Sequence, residues 1–148
     1  MGDRSDMIVQ YFDYLIKEYE YHIEQKDFYP KMFEDAIVVF KSSSIRVEIV
    51  VEKNRALIRM GNQADSQRDW FEFPDVLKHY APMIKAYIFP EKTSKNTWDE
   101  IVENQLQRLA VILRQHCESV LKGDLSGKEQ IKAIEEKRNA KWFAHRKN

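Results

Sequence analysis

Across residues 101–121 apolar side chains return at steps of three and four: Ile101/Val102, Leu106, Leu109/Ala110, Leu113, Cys117 and Val120/Leu121. That spacing keeps one face of a helix against a core. Both ends carry signals. Thr97 and Glu100 stand in capping-box spacing, where the hydroxyl accepts from the Glu100 amide and the carboxylate reaches back to the Thr97 amide. Lys122 suits the negative end of the helix dipole, and Gly123 supplies a left-handed stop. The pattern predicts one long helix over 97–124. A shorter one is predicted over about 5–19, where Ile8, Tyr11/Phe12, Leu15 and Tyr19 share a face and Ser5 or Asp3 caps the start.

The middle of the chain changes period. Residues 19–24 alternate as a short strand, and Pro30 marks 27–35 as a loop. The β-branched run 36–40 reads as a buried strand, followed by a turn at Ser42, Ser43 and Ser44. Ile45, Val47, Ile49 and Val51 then alternate with Arg46, Glu48, Val50 and Glu52, the clearest strand in the chain. Lys53-Asn54 is a two-residue turn, and Ala56, Ile58 and Met60 mark the return strand. Residues 61–69 read as a polar excursion, 70–73 as another strand, and 74–80 as a short helix with Pro in its first turn.

Ser126 and Glu129 repeat the capping-box spacing, so a last helix is expected from about 127 into the 140s. Its apolar face is thin: Ile131, Ile134, Trp142 and Phe143. Short hairpin connections imply an antiparallel meander of three to five strands, covered on one face by the first and long helices. The expected class is therefore α+β, with 1–124 as one domain and 125–148 as a basic helical extension, either docked or projecting.

A chain of 148 residues buries a core without covalent staples. Its single cysteine excludes an internal disulfide framework and fits a reducing cytoplasm. No apolar run approaches the roughly 20 residues of a bilayer span. The acidic start, MGDRSDMIVQYF, lacks the basic region of a signal peptide, and Asp6 stands where myristoylation of Gly2 needs a hydroxyl residue. A soluble, cytoplasmic protein is the expectation. The formal net charge of zero hides a gradient. Residues 1–36 hold nine acids against four bases, a net of −5, whereas 137–148 hold five bases and no acid. Such asymmetry either steers partners of opposite sign or pairs the two ends of the chain.

Chemistry is sparse. His22, His79, His116 and His145 show no metal-ligand spacing, and the neighbours His116 and Cys117 point about 100° apart on a helix. Cys117 reads as core filling. Phosphate-loop, dinucleotide, zinc-protease and nucleophile-elbow motifs are missing from the sequence. Asp99, Glu100 and Glu103 complement a helix start, and Glu34 with Asp35 would serve as an acid/base pair only inside a cleft. The expectation is a non-enzymatic protein with no cofactor and no metal.

Two surfaces are candidates for binding. The first is acidic and aromatic: Asp13, Glu18, Tyr19, Glu20, Tyr21 and Glu24, continuing to Asp27, Phe28 and Tyr29. Aromatic anchors beside carboxylates suit a basic protein partner. The second is the tail, where Lys137, Arg138, Lys141 and Arg146 surround Trp142 and Phe143. That mixture suits single-stranded nucleic acid or anionic lipid, although no nucleic-acid-binding motif accompanies it. A homodimer or scaffold that buries the edge of the long helix is the third alternative.

The run Tyr11-Phe-Asp-Tyr-Leu-Ile-Lys-Glu-Tyr-Glu-Tyr, the strand Ile37-Val-Val-Phe-Lys-Ser and the closing helix Gln105-Leu-Gln-Arg-Leu-Ala-Val-Ile-Leu, ending in Val120-Leu-Lys-Gly-Asp124, give the chain its layout. In that layout it resembles small bacterial immunity proteins of polymorphic and contact-dependent toxin systems. The resemblance covers most of residues 5–124; the basic helix after 126 is an addition. It implies an inhibitor that occupies a cognate toxin's active site or substrate face and has no chemistry of its own.

Overall fold

A meander rich in valine and isoleucine forms the centre of the fold. A computed structural model describes residues 3–146. Helices α1 (Arg4–Tyr11) and α2 (Tyr14–Tyr19) precede strands β1 (His22–Tyr29), β2 (Asp35–Lys41), β3 (Ile45–Glu52) and β4 (Arg55–Asn62). A short strand β5 (Phe71–Glu72) leads into α3 (Phe73–Tyr80), and α4 (Trp98–His116), α5 (Glu118–Leu121) and α6 (Lys128–Arg146) complete the chain. The sheet is antiparallel in the order β1-β2-β3-β4-β5. This is the expected α+β arrangement of helix, meander, long helix and C-terminal helix.

Alternation decides the faces of the sheet. Ala36, Val38, Phe40, Ile45, Val47, Ile49, Val51, Ala56, Ile58 and Met60 point inward and are buried. Ile8, Phe12 and Leu15 pack against them, with Val102, Leu106, Leu109 and Leu113 of α4 in the same core. The opposite face carries cross-strand rows: Val39, Glu48 and Arg59, then Ile37, Val50 and Leu57. Glu48 is buried there, accepting from Arg59 Nε and Nη2 and from Gln67 Nε2.

The β4 edge is sealed by side chains. Ala56 N–H donates to Gln105 Oε1 at 3.0 Å, and Gln105 Nε2 donates to the Asn54 carbonyl at 2.9 Å. Tyr87 Oη accepts from Ile58 N–H at 2.9 Å and donates to the Ile58 carbonyl at 3.1 Å. Farther along, β5 pairs Arg59 and Met60. Backbone groups that would otherwise template a foreign strand are thus satisfied within the chain.

One buried arginine ties three turns together. Arg4 donates to Asp99 Oδ1 at 3.2 and 3.3 Å, to the Phe33 carbonyl at 3.1 Å and to Asn54 Oδ1 at 2.7 Å. Phe33, Glu34, Lys53 and Asn54 all hold positive φ in the turns this side chain reaches. Two consecutive left-handed residues make Lys53-Asn54 the primed turn that matches strand twist.

Several boundaries differ from the sequence expectation. The first helix breaks at Phe12 (φ −105°, ψ 16°), and α2 begins again after Asp13. Ile8, Phe12 and Leu15 still share a side, so apolar spacing does not register the break. The loop expected at 27–35 begins only after Tyr29, because β1 continues through Asp27, Phe28 and Tyr29 in register with β2. As an edge strand, β1 buries little, which hides its period. Gly61 belongs to β4 instead of opening a polar excursion; a Cβ there would lie 2.7 Å from Trp70 Cδ1. Of the strand expected at 70–73, only Phe71 and Glu72 pair, and Phe73 already starts α3. The long helix stops at His116, Cys117 leaves helical geometry (φ −122°, ψ 22°), and α5 adds one turn before Gly123 at φ +97°.

The last helix touches the body through its first half. Ile131 is buried, Lys128 lies 3.5 Å from Asp65, and Arg138 pairs with the buried Asp75 of α3 at 2.8 Å. Residues 139–144 are exposed. Among the described residues no helix is long and apolar enough to cross a membrane.

Candidate partner-binding site

The end of α2 builds the candidate site. Tyr21 N–H donates to the Leu15 carbonyl at 2.9 Å, and Glu20 takes the left-handed conformation (φ 62°, ψ 30°). This is Schellman-type closure, with a glutamate where glycine is usual. The turn sends Tyr21 inward and leaves Glu18, Tyr19 and Glu20 on a rim. Tyr21 is buried and its hydroxyl donates to the Leu121 carbonyl at 2.9 Å. Burial pushes that phenol up to about 12. Tyr21 therefore belongs to the core and leaves the set of accessible anchors proposed from sequence.

Two depressions meet at Tyr19. One, of about 320 Å³, lies between Glu18, Tyr19 and Glu20, the Ser42, Ser43 and Ser44 hairpin, and Leu121 with Lys122. The other, of about 710 Å³, is bounded by Glu18, Tyr19, Val111, Arg114, Gln115 and Glu118. Tyr19 Oη donates to Glu118 Oε1 at 3.3 Å. Partial burial, then the Glu118 carboxylate, raises its pKa. The ring packs edge-on against Tyr14, over which the Arg114 guanidinium sits.

Folding changes the charge of this surface. Glu18 pairs with Arg114 at 2.6 Å, and Asp13 with Lys17 at 2.8 Å. Glu24 pairs with Arg46 at 3.0 Å and Lys41 at 3.7 Å. The Arg46 hydrogen bonds, against a smaller opposing effect of burial, hold the Glu24 carboxyl below its ordinary range. Glu20 has no ion pair among the described residues. The acidic stretch of sequence thus becomes a mixed surface in which, of its candidate carboxylates, Glu20 and Asp27 lack an ion pair among the described residues. No ion pair among the described residues joins the N-terminal acids to the basic tail. Sequence reasoning missed Arg114, Gln115 and Glu118 as rim residues, because the helical pattern marks them only as solvated positions of α4 and α5.

The tail residues divide. Arg138 is committed to Asp75, whereas Lys137 and Lys141 are exposed and have no ion pair among the described residues. Trp142 and Phe143 are half-exposed and meet edge-on, ring centroids 5.0 Å apart. The side chains of His145 and Arg146 lie outside the described residues, as does Lys147 altogether.

Other candidate chemistry disperses. Cys117 is buried and its thiol is pushed up to about 12, which disfavours the thiolate. Glu34 reaches Arg4 at 3.4 Å, while Asp35 accepts from Lys53 N–H at 2.9 Å, so the two carboxylates diverge. Asp99 is drawn to Arg4, and Glu100 completes the capping box with Thr97. Among the described residues no group of three His, Cys, Asp or Glu side chains is placed to hold a metal ion. Compared with protein-family models, with curated proteins and with solved structures, the chain matches none of them.

Proposed function

We propose that this chain is a non-enzymatic protein-binding module, an immunity-type inhibitor that engages a basic bacterial toxin through the rim formed by Glu18, Tyr19 and Glu20. One observation carries the reading. Glu20 is exposed, unmatched by any cation among the described residues, and held in left-handed backbone geometry beside Tyr19. That left-handed turn closes α2 and holds the Glu20 carboxylate next to Tyr19 on the rim. An aromatic side chain beside an unpaired carboxylate suits a lysine- or arginine-bearing partner, and the shallow depressions on either side leave room for a protein surface.

The test compares capture of partners from the native cell lysate by the wild-type chain and by the Glu18→Lys/Glu20→Lys/Glu24→Lys variant. A single basic protein at near-equal stoichiometry, lost with the variant, supports the reading. With that partner purified, association should slow by about tenfold at low salt. Identical association kinetics for a folded variant would remove the rim from the interface.

A further inference from the structure

Residues 81–97 join the end of α3 to the start of α4 as a strap that passes along the β4 edge. Its middle is fastened. Ala86 is buried, its carbonyl accepts from Arg108 Nη1 at 2.6 Å, and the Lys85 carbonyl accepts from Arg108 Nη2. Tyr87 holds both backbone groups of Ile58. Large apolar side chains stand exposed on either side of that fastening. Pro82 and Met83 form the corner of a turn closed by Ile84 N–H to the Ala81 carbonyl at 2.9 Å, and Met83 is 93% exposed. Ile84 is exposed next to it, and Ile88 at 50% and Phe89 follow beyond Tyr87. Trp98, 45% exposed, opens α4 seven residues before Gln105, within about 20° of the helix side that reaches the β4 edge.

Cations accompany these side chains. Residues 81–98 hold Lys85, Lys92 and Lys95 against one acid, Glu91. All three lysines are exposed and have no ion pair among the described residues. Arg55 lies over the Phe89 ring, 4.9 Å from its centre.

Met83, Ile84 and Ile88 are aliphatic, so they offer hydrocarbon contact where a nucleic-acid platform needs stacking rings. The space beneath Ile88 and Phe89 is about 10 Å³, so these side chains project from a filled surface instead of walling a groove. Apolar tips among unpaired lysines, with a tryptophan beside them, match the boundary between anionic headgroups and acyl chains.

We propose that the strap is a peripheral membrane-docking site: Met83, Ile84 and Ile88 enter an anionic lipid surface, and Lys85, Lys92 and Lys95 meet its phosphates. The inference is independent of the reading above, which uses the rim at the end of α2.

Co-sedimentation of the full chain with vesicles of phosphatidylcholine, alone or mixed equally with phosphatidylglycerol, tests it. The expected result is binding to the anionic vesicles at low salt, weakened by added salt and at least about tenfold weaker on the neutral ones. Met83→Ser/Ile88→Ser and Lys85→Glu/Lys92→Glu/Lys95→Glu should each weaken binding by at least about tenfold. Lys137→Glu/Lys141→Glu, on the tail, should bind like the wild type. Met83→Cys can carry a polarity-sensitive fluorophore selectively, because Cys117 is buried, and its emission should move to shorter wavelength on anionic vesicles. All of these positions are exposed, and circular dichroism confirms that each variant is folded. A wild-type chain that leaves the anionic vesicles unbound overturns the proposal. So do a folded Met83→Ser/Ile88→Ser chain that binds like the wild type, a loss of binding in the tail variant alone, and an unshifted fluorophore.

Discussion

Helices α4 and α6 have the same length, 19 residues, and opposite relations to the core. The first buries Ile101, Val102, Gln105, Leu106, Leu109, Ala110, Ile112 and Leu113, and opens with a complete capping box. In the second, Ile131 is buried and the closest attachment after it is the ion pair of Arg138 with Asp75. A helix is thus specified here in two ways. Burial of a wide apolar stripe fixes α4 by packing, whereas α6 depends on a narrow stripe and two ion pairs, Lys128 with Asp65 and Arg138 with Asp75. Packing of the first kind resists change in pH and salt; attachment of the second kind does not.

The largest effect is expected inside α4. Leu106 is fully buried, so Leu106→Ala should lower the unfolding free energy by about 3 kcal/mol in denaturant titration. A loss below 1 kcal/mol would mean that α4 is not the keystone its burial implies. On α6, Arg138→Ala leaves the buried Asp75 carboxylate without its cation. Arg138 is half-exposed, so the expected cost is about 1–2 kcal/mol, below that of a fully buried pair. Amide exchange should then accelerate across α6 and leave α4 protected. Equal acceleration in both helices would show that α6 does not open alone.

The smallest effect sharpens the contrast through pH. Partial burial raises the Glu135 carboxyl above its ordinary 4.5, with Asp75 adding to the rise and Arg138 opposing it. An acid whose folded pKa is raised binds more protons docked than undocked, so docking weakens as pH rises from about 4.5 through the folded value. After correction for intrinsic exchange, α6 should be better protected at the acidic end of that window than at neutral pH. Glu135→Gln should flatten this dependence, while α4 shows none in either chain. A pH dependence that survives in Glu135→Gln assigns it to another group.

Much of the fold was legible because its core-facing residues keep their periods. Ile45, Val47, Ile49 and Val51 specify β3 by alternation, and Thr97 with Glu100 specify the start of α4. What escaped lies where side chains bury little or where apolar spacing runs across a break. The alternation read at 19–24 catches only the first residues of the exposed edge strand β1, which runs on to Tyr29. The kink at Phe12 and the step at Cys117 leave the apolar face continuous. The candidate site was half legible. Glu18, Tyr19 and Glu20 do stand on a rim, but the sequence did not reveal that Tyr21 turns inward. Nor did it show that Arg114 and Arg46, 96 and 22 residues away from their glutamates, pair with Glu18 and Glu24.

The side chains that close the β4 edge set an arithmetic for growth of the sheet. Gln105 and Tyr87 occupy the Asn54 carbonyl, the Ala56 N–H and both backbone groups of Ile58, so a foreign strand finds those groups taken. At the two ends of the sheet order stand β1, the long edge strand, and the two-residue β5, so molecules joined through β1 leave only the short β5 at each outer end. Strand addition beyond that pair would have to start on a two-residue strand, which disfavours a fibril built from intact copies of this fold.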